Sequence, residues 1–153
     1  MTFQFPVDYR PAFDDIGDLA CDMVQIELDR CTPGGWAGTR RHQHADDLIR
    51  QGEVVVVVHI MPGTVMDDVF RYTPVQFEVT AEAYDTSVKV MQFLEDELTR
   101  KYGDGGIVER PGGVRSNVRS FGIEETQQQL VFLNPDHRMF QATFQVATKK
   151  RTP

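Results

Sequence analysis

The sequence predicts an α+β domain of two layers: a mainly antiparallel sheet, two main helices packed on one of its faces, and a C-terminal β-hairpin. Three observations carry this. Between Glu53 and Gly103 a valine run leads through a polar loop into a strictly alternating segment and then an amphipathic helix. Residues 13–31 bring apolar side chains back at helical spacing. Near the end, Gln127–Leu133 and Arg138–Thr148 read as strands around Asn134-Pro135-Asp136-His137, where proline followed by Asp suits a type I turn. The order helix, strand, strand, helix, short strand, hairpin segregates the helices from the strands, as in α+β folds.

At 153 residues the chain is expected to form a single domain, 1–153, with room for a sizeable core. Residues 1–12 read as an extended N-terminal segment in which Pro6 and Pro11 limit helix. In the first helix Phe13, Ile16, Leu19, Ala20, Met23, Val24 and Leu28 form the apolar face. Asp14, Asp15 and Asp18 sit in its first turns, where the helix dipole favours negative charge, and Thr32-Pro33-Gly34-Gly35 ends it. Residues 32–52 read as a long polar loop, with a short helical turn at Ala45–Arg50. Val54–Ile60 is apolar on both faces, which implies a central strand with cover on both sides or with one face at a subunit contact. Pro62-Gly63 breaks it, and residues 62–73 form a second long loop.

From Val75 the alternation places Phe77, Val79, Ala81 and Ala83 on one face and Gln76, Glu78, Thr80, Glu82 and Tyr84 on the other. Asp85 or Thr86 then caps a helix over Ser87–Tyr102 whose stripe is Val90, Met91, Leu94, Leu98 and Tyr102. Arg100 and Lys101 suit its C-terminus, and Gly103 the left-handed residue that ends it. Ile107–Arg110 reads as a short strand and residues 114–123 as ambiguous. In the last strand Phe140, Ala142, Phe144 and Val146 face the core, and residues 149–153 form a basic tail.

The composition, 41% hydrophobic and 25% charged, is that of a globular protein and argues against a disordered or fibrous chain. No apolar run approaches the roughly 20 residues that span a bilayer. The N-terminus has neither a basic nor an apolar leader region, so folding in the cytoplasm is expected. Cys21 and Cys31, ten residues apart on or at the end of a helix, would lie about 15 Å apart, beyond the roughly 7 Å that a disulfide tolerates, so both should be reduced. A net charge of −7 argues against ordinary nucleic-acid binding. The charge is uneven: residues 1–103 carry −9 and residues 104–153 carry +2. The split reflects either solvated faces or two complementary edges, as a head-to-tail ring requires.

Candidate chemistry is sparse. His42, His44 and Asp46, with Asp47, could hold a divalent ion and serve a small metal-dependent hydrolase. A His-x-His pair in a loop flanked by Gly, Arg and Gln lacks a rigid third ligand, and a solvated loop is the expectation. Asp67-Asp68 reads as a charged turn rather than an acid–base pair. The paired glycines precede no Lys-Ser/Thr, so they are not phosphate cradles. Cys21 reads as packing, and His59 as a core or interface histidine. Arg110, Arg115 and Arg119 read as salt-bridge partners rather than a phosphate site. No catalytic residue and no cofactor or metal is expected.

The organisation also resembles a known family. Val54–Gly63 with its Pro62-Gly63 break, Pro74–Leu98 with Pro-Val-Gln opening the strand and Ala-Tyr-Asp-Thr entering the helix, and the hairpin strand Arg138–Val146 carry the resemblance. Over residues 13–148 the chain resembles the tail terminator (tail completion) proteins of long-tailed, siphovirus-type bacteriophages, especially those of actinobacteria. The resemblance implies a virion structural protein without enzymatic activity. It would form a hexameric ring at the head-proximal end of the tail tube, terminate tube polymerisation and join the tail to the head connector. Its partners would be further copies of itself, the major tail tube protein and the connector or neck protein. Genomic DNA would pass the lumen without specific binding, and no membrane would be involved. Localisation would be the virion neck, after assembly in the host bacterial cytoplasm. The 32–52 loop with Trp36 and the Cys31–Gly35 turn do not match the family, which leaves another neck or head–tail joining protein as the alternative. The expected assembly surfaces are Met66, Asp67, Asp68, Phe70 and Arg71 in the second loop, Trp36, Arg40 and Arg41 in the first, and Gln76, Glu78 and Glu82 on the polar strand face, as lumen or subunit surface.

Overall fold

A computed structural model describes residues 2–123, 128–131 and 138–151. Its elements are α1 (Ile16–Leu28), β1 (Gly35–Gly38), α2 (Ala45–Arg50), β2 (Val54–Ile60), β3 (Val65–Met66), β4 (Phe70–Ala81), α3 (Tyr84–Tyr102), β5 (Gly106–Arg110), a 3₁₀ turn at Pro111–Gly113, β6 (Val114–Ile123), β7 (Gln128–Val131) and β8 (Arg138–Lys149). The strands form a sheet in the order β1-β2-β4-β8-β6-β5, with β3 beside β4 and β7 beside β8. β1 and β2 run parallel; the remaining pairings are antiparallel. The fold is α+β, as the sequence predicts, and β7–β8 is the expected hairpin. Its turn, at 134–137, lies outside the described residues.

The centre of the sheet is the β4–β8 ladder, which runs in unbroken register from Phe70↔Lys149 to Ala81↔Arg138. Alternation sorts its side chains. Thr73, Val75, Phe77, Val79 and Ala81 share one face with Phe140, Ala142, Phe144 and Val146, and all are buried. Phe77, Phe121 and Phe144 meet there, with ring centroids 4.9–6.4 Å apart. The opposite face carries Gln76, Glu78 and Thr80 beside Thr143, Gln141 and Met139.

Strand β4 begins at Phe70, not at Pro74 where the sequence suggests. A proline in a strand interior removes a ladder donor, but Pro74 offers its carbonyl to Met61 N–H (2.9 Å) on the side away from β8. Its missing N–H therefore faces the break between β2 and β3, where no strand demands it. Gln145 stands opposite Pro74 and the ladder continues.

Helices α1 and α3 lie over the apolar face. Ile16, Leu19, Ala20, Met23, Val24 and Leu28 of α1 join Met91, Leu94, Leu98 and Tyr102 of α3 in one core cluster. Asp15 caps α1, accepting from Asp18 N–H at 3.1 Å. Neither Asp85 nor Thr86 caps α3. Ala83 occupies that position without a side-chain bond, and the helix starts at Tyr84, leaving Glu82 in the preceding turn. Gly103 is likewise right-handed (φ −55°), and its N–H still donates to Thr99 O at 2.8 Å. Chain reversal is delayed to Gly105, where φ reaches +100°.

Helix α1 ties together both edges of the curled sheet. At β1, the Gln25 side chain donates to Gly35 O and accepts from Ala37 N–H, each at 2.9 Å, so the edge strand is paired along its open side. At β5, Arg110 Nε donates to Asp22 at 2.7 Å and its guanidinium also reaches Ser116 Oγ at 3.2 Å. A second charged seam joins the helices: the buried Glu27 carboxylate accepts from Lys101 and from Arg30 (2.6 Å), and Arg30 and Arg100 both donate to Glu97 (2.7 and 2.6 Å). Hydrogen bonds from Arg100 and Arg30 hold the Glu97 carboxyl down at about 2.

The 32–52 stretch is not the long polar loop that its composition suggests. Gly35–Gly38 adds the parallel edge strand, and Ala45–Arg50 is the short helix α2. Trp36 and Leu48 pack with Ala45, Ile49, Val55 and Val57 into a small second core on the sheet's other face. The valine strand is thus covered on both sides, by α1 on one and by α2 with Trp36 on the other.

Two outcomes are expected. A Cβ at Gly35 would fall 2.6 Å from both Val54 Cγ2 and Val54 O, so Gly35→Ala should cost about 1–3 kcal/mol through overpacking, read as a lower denaturant midpoint. Because the folded Glu97 carboxyl titrates below its ordinary value of 4.5, its stabilisation is complete above that value and lost as pH falls toward 2. Glu97→Gln should flatten this part of the acid-unfolding profile.

Candidate functional site

The 62–73 stretch is built around a β-hairpin. Val65 pairs with Tyr72 and Met66 with Arg71, and Asp67 N–H donates to Phe70 O at 2.9 Å, leaving Asp68-Val69 as the tip. Both tip residues keep negative φ, unlike the primed turns whose twist matches paired strands. The Asp67 carboxylate holds this turn, accepting from Val69 N–H at 2.7 Å and Phe70 N–H at 2.6 Å. Those two bonds lower its pKa, Phe70 first. Asp67 therefore shapes the arm, while the apolar side chains beside it stand in solvent: Val65 is 63% exposed, Met66 62% and Val69 42%.

The N-terminal segment lies next to this hairpin. Tyr9, Pro11, Ala12 and Phe13 form one wall of an open groove of about 890 Å³, and Met66, Asp67, Asp68, Arg71 and Lys150 complete it. Arg71 lies 5.9 Å over the Phe13 ring, and its buried Nε has no hydrogen-bond partner among the described residues. The segment's root is anchored: Arg151 N–H donates to Ala12 O at 2.7 Å, and the Arg151 guanidinium bonds the buried Asp14 carboxylate. The described part of the 149–153 tail is thus tied down, with Lys149 ending β8. Beyond the root, Tyr9 N–H donates to Pro6 O at 3.0 Å and closes a turn, so residues 1–12 are not uniformly extended. The turn brings Phe5 onto Tyr9 (5.3 Å) and Phe3 edge-on to Phe5 (5.1 Å). Phe3 and Phe5 nevertheless remain mostly exposed, with Val7 and Tyr9. The sequence expectations did not include these four residues as a surface, although Phe3, Phe5, Val7 and Tyr9 alternate with period two.

The other expected residues separate into distinct places. Trp36 folds its indole over Gly38, where an added Cβ would fall 2.2 Å from the ring, and edges against His42 at 5.0 Å. It is mainly a packing residue. Arg40 and Arg41 are exposed along a shallower groove of about 540 Å³, with Arg41 3.0 Å from Asp46. Gln76 and Glu78 lie half-buried on the polar sheet face, where Glu78 Oε2 is 3.0 Å from His59 Nε2. Glu82 leaves that face for the β4–α3 turn, and Phe70 is half-buried, 5.6 Å beneath Arg119.

The His42–Asp47 stretch does not converge on a common point. His42 Nδ1 accepts from His44 N–H at 3.0 Å, Asp46 faces Arg41, and His44 Nδ1 is 4.0 Å from Asp47. Among the described residues no group of three or more His, Cys, Asp or Glu is arranged to hold a metal ion. The two cysteines are free. Burial, reinforced by Asp18, Asp22 and Asp15, pushes the Cys21 thiol up to about 12, so it packs as a neutral group. Arg110 and Arg115 are engaged by Asp22 and Glu109 (2.7 and 3.0 Å).

Asp67→Ala should loosen the hairpin tip while leaving the global unfolding midpoint nearly unchanged. Amide hydrogen exchange at Val69 and Phe70 would read this directly. The lowered pKa sets the sign of the pH effect: the wild-type tip is protected above pH 3.8, and protection fades as pH falls through the lower folded value.

No family model and no curated protein matches the chain, and its functional reading rests on these surfaces and on the sequence resemblance.

Proposed function

We propose that the chain is a virion structural protein of a long-tailed bacteriophage, a tail terminator. Copies form a ring, hexameric by the family resemblance, that caps the head-proximal end of the tail tube, arrests its polymerisation and presents a docking face to the head connector. The observation that carries the reading is the exposed hairpin Val65–Phe70 beside the exposed N-terminal aromatics. Exposed apolar clusters of this kind mark protein contacts, and these two flank one groove at one end of the central ladder.

The polar sheet face supports a lumen. Half-buried Gln76, Glu78, Gln141 and Gln145 supply amides and one carboxylate, a face that does not neutralise phosphates. The net charge of −7 acts in the same direction, so DNA passes without sticking. No described helix is long and apolar enough to cross a membrane, and the proposed location is the virion neck, after assembly in the host bacterial cytoplasm. The role requires no cofactor.

The test is direct. Purified protein added to growing tail tubes should bind one end and stop elongation. Tubes that keep lengthening would exclude the terminator role; binding to connector rings without arrest would assign the chain to head–tail joining instead.

A further inference from the structure

Two apolar surfaces of this chain lie beside each other without covering each other. The first is the segment before Ala12. Phe3, Phe5, Val7 and Tyr9 are 79%, 67%, 95% and 52% exposed even though Phe5 stacks on Tyr9 and Phe3 packs edge-on to Phe5. The second is the hairpin, where Val65, Met66 and Val69 are exposed and Met66 lines the groove. Each is too apolar to be left in water without cost, and each is held in shape by its own polar bonds. Arg10 donates to Val7 O (3.0 Å) and Tyr9 O (2.8 Å) to shape the first, and Asp67 shapes the second.

We propose that residues 3–9 are an exchange arm that seats on the Val65–Val69 hairpin and groove of a second copy of this chain. The proposal deepens the ring reading by naming the contact between subunits. A second copy is the occupant because the charges complement one another. The arm carries Asp8, with Arg10 at its base, while the groove offers Arg71 and Lys150 to the first and Asp68 to the second. The root at Ala12 is fixed to Arg151, and the segment from Phe3 to Pro11 before it reaches up to about 30–32 Å when extended, enough to cross to a neighbour. Once the Pro6–Tyr9 turn opens, the period-two spacing of the arm's apolar residues suits an extended segment laid along a hairpin. Arm and groove are different surfaces, so the contact is head-to-tail and repeats around a ring.

The experiment uses the full chain and two variants, Phe3→Ser/Phe5→Ser in the arm and Val65→Ser/Met66→Ser in the hairpin. All four positions are exposed, and unchanged circular dichroism and melting would verify that both variants fold. Sedimentation velocity should show the wild type assembled. Each variant should be monomeric or at least tenfold weaker. An equimolar mixture of the two should form dimers, because the intact arm of one can seat on the intact hairpin of the other. A monomeric wild type, variants that keep the wild-type mass, or a mixture that stays monomeric would each overturn the exchange arm. The tube assay separates this from the functional reading. Arm-dependent assembly without arrest of tubes leaves the arm standing and removes the terminator role; tube arrest by arm variants that still assemble does the reverse.

Discussion

The β4–β8 ladder is the constraint on which the rest of the molecule depends. Twelve residues of each strand pair without a slip, and alternation fixes the register. Shifting either strand by one residue would carry Phe77 or Phe144 out of the core and bring Gln76 or Gln145 into it. Each remaining strand is placed relative to this pair. β2 and β3 follow one another along the outer side of β4, and β6 and β7 do the same along β8. Because β4 runs on to Phe70, past the point where β2 stops, the ladder carries the β3–β4 hairpin beyond the helix-covered body. The candidate contact surface is therefore an extension of the most strongly specified part of the fold.

The two faces of the sheet are treated differently. One is closed by α1 and α3 and holds nearly all of the buried apolar side chains. The other is covered near β1–β2 by α2 and Trp36, and along β4–β8 it carries the half-buried Gln76, Glu78, Gln141 and Gln145. The sheet edges are also managed unequally. Gln25 completes the hydrogen bonding of β1, whereas β5 is held by the side-chain bond from Arg110 to Asp22 and keeps Ile107 about half exposed. An edge strand paired along its outer side is a poor site for adding another strand. Among the described residues the most exposed large apolar side chains lie in the N-terminal segment and the hairpin.

Within the hairpin the work is divided between adjacent residues. Asp67 spends its carboxylate on two backbone N–H groups, so it determines the shape of the arm, and Met66 and Val69 supply the surface. Asp68 lines the groove with Arg71 and Lys150. Internal polar bonds that hold apolar groups outward lower the entropic cost of docking, as the proposed subunit contact requires.

Much of the fold was legible in the residues because burial leaves a periodic trace. The α1 and α3 stripes, the two-sided apolarity of Val54–Val58 and the alternation of Val75–Ala81 and Phe140–Val146 all follow from one-dimensional spacing, and each lies where that spacing puts it, except that Phe13 precedes α1 and lines the groove beneath Arg71. What the sequence could not decide depends on neighbours distant in the chain. Pro74 reads locally as a strand start, yet it is a strand interior because its absent N–H faces a break in β2–β3. Gly35–Gly38 reads as loop, yet it is a strand because Gln25 and Val54 flank it. Trp36 and the polar 32–52 stretch suggest a contact loop, yet they roof a second small core. The candidate site divides in the same way. The sequence placed Met66, Asp67, Asp68 and Arg71 in one loop, but only the tertiary structure set them against Tyr9, Phe13 and Lys150. Spacing encodes which face of an element is apolar; which surfaces remain uncovered depends on the packing of the whole chain.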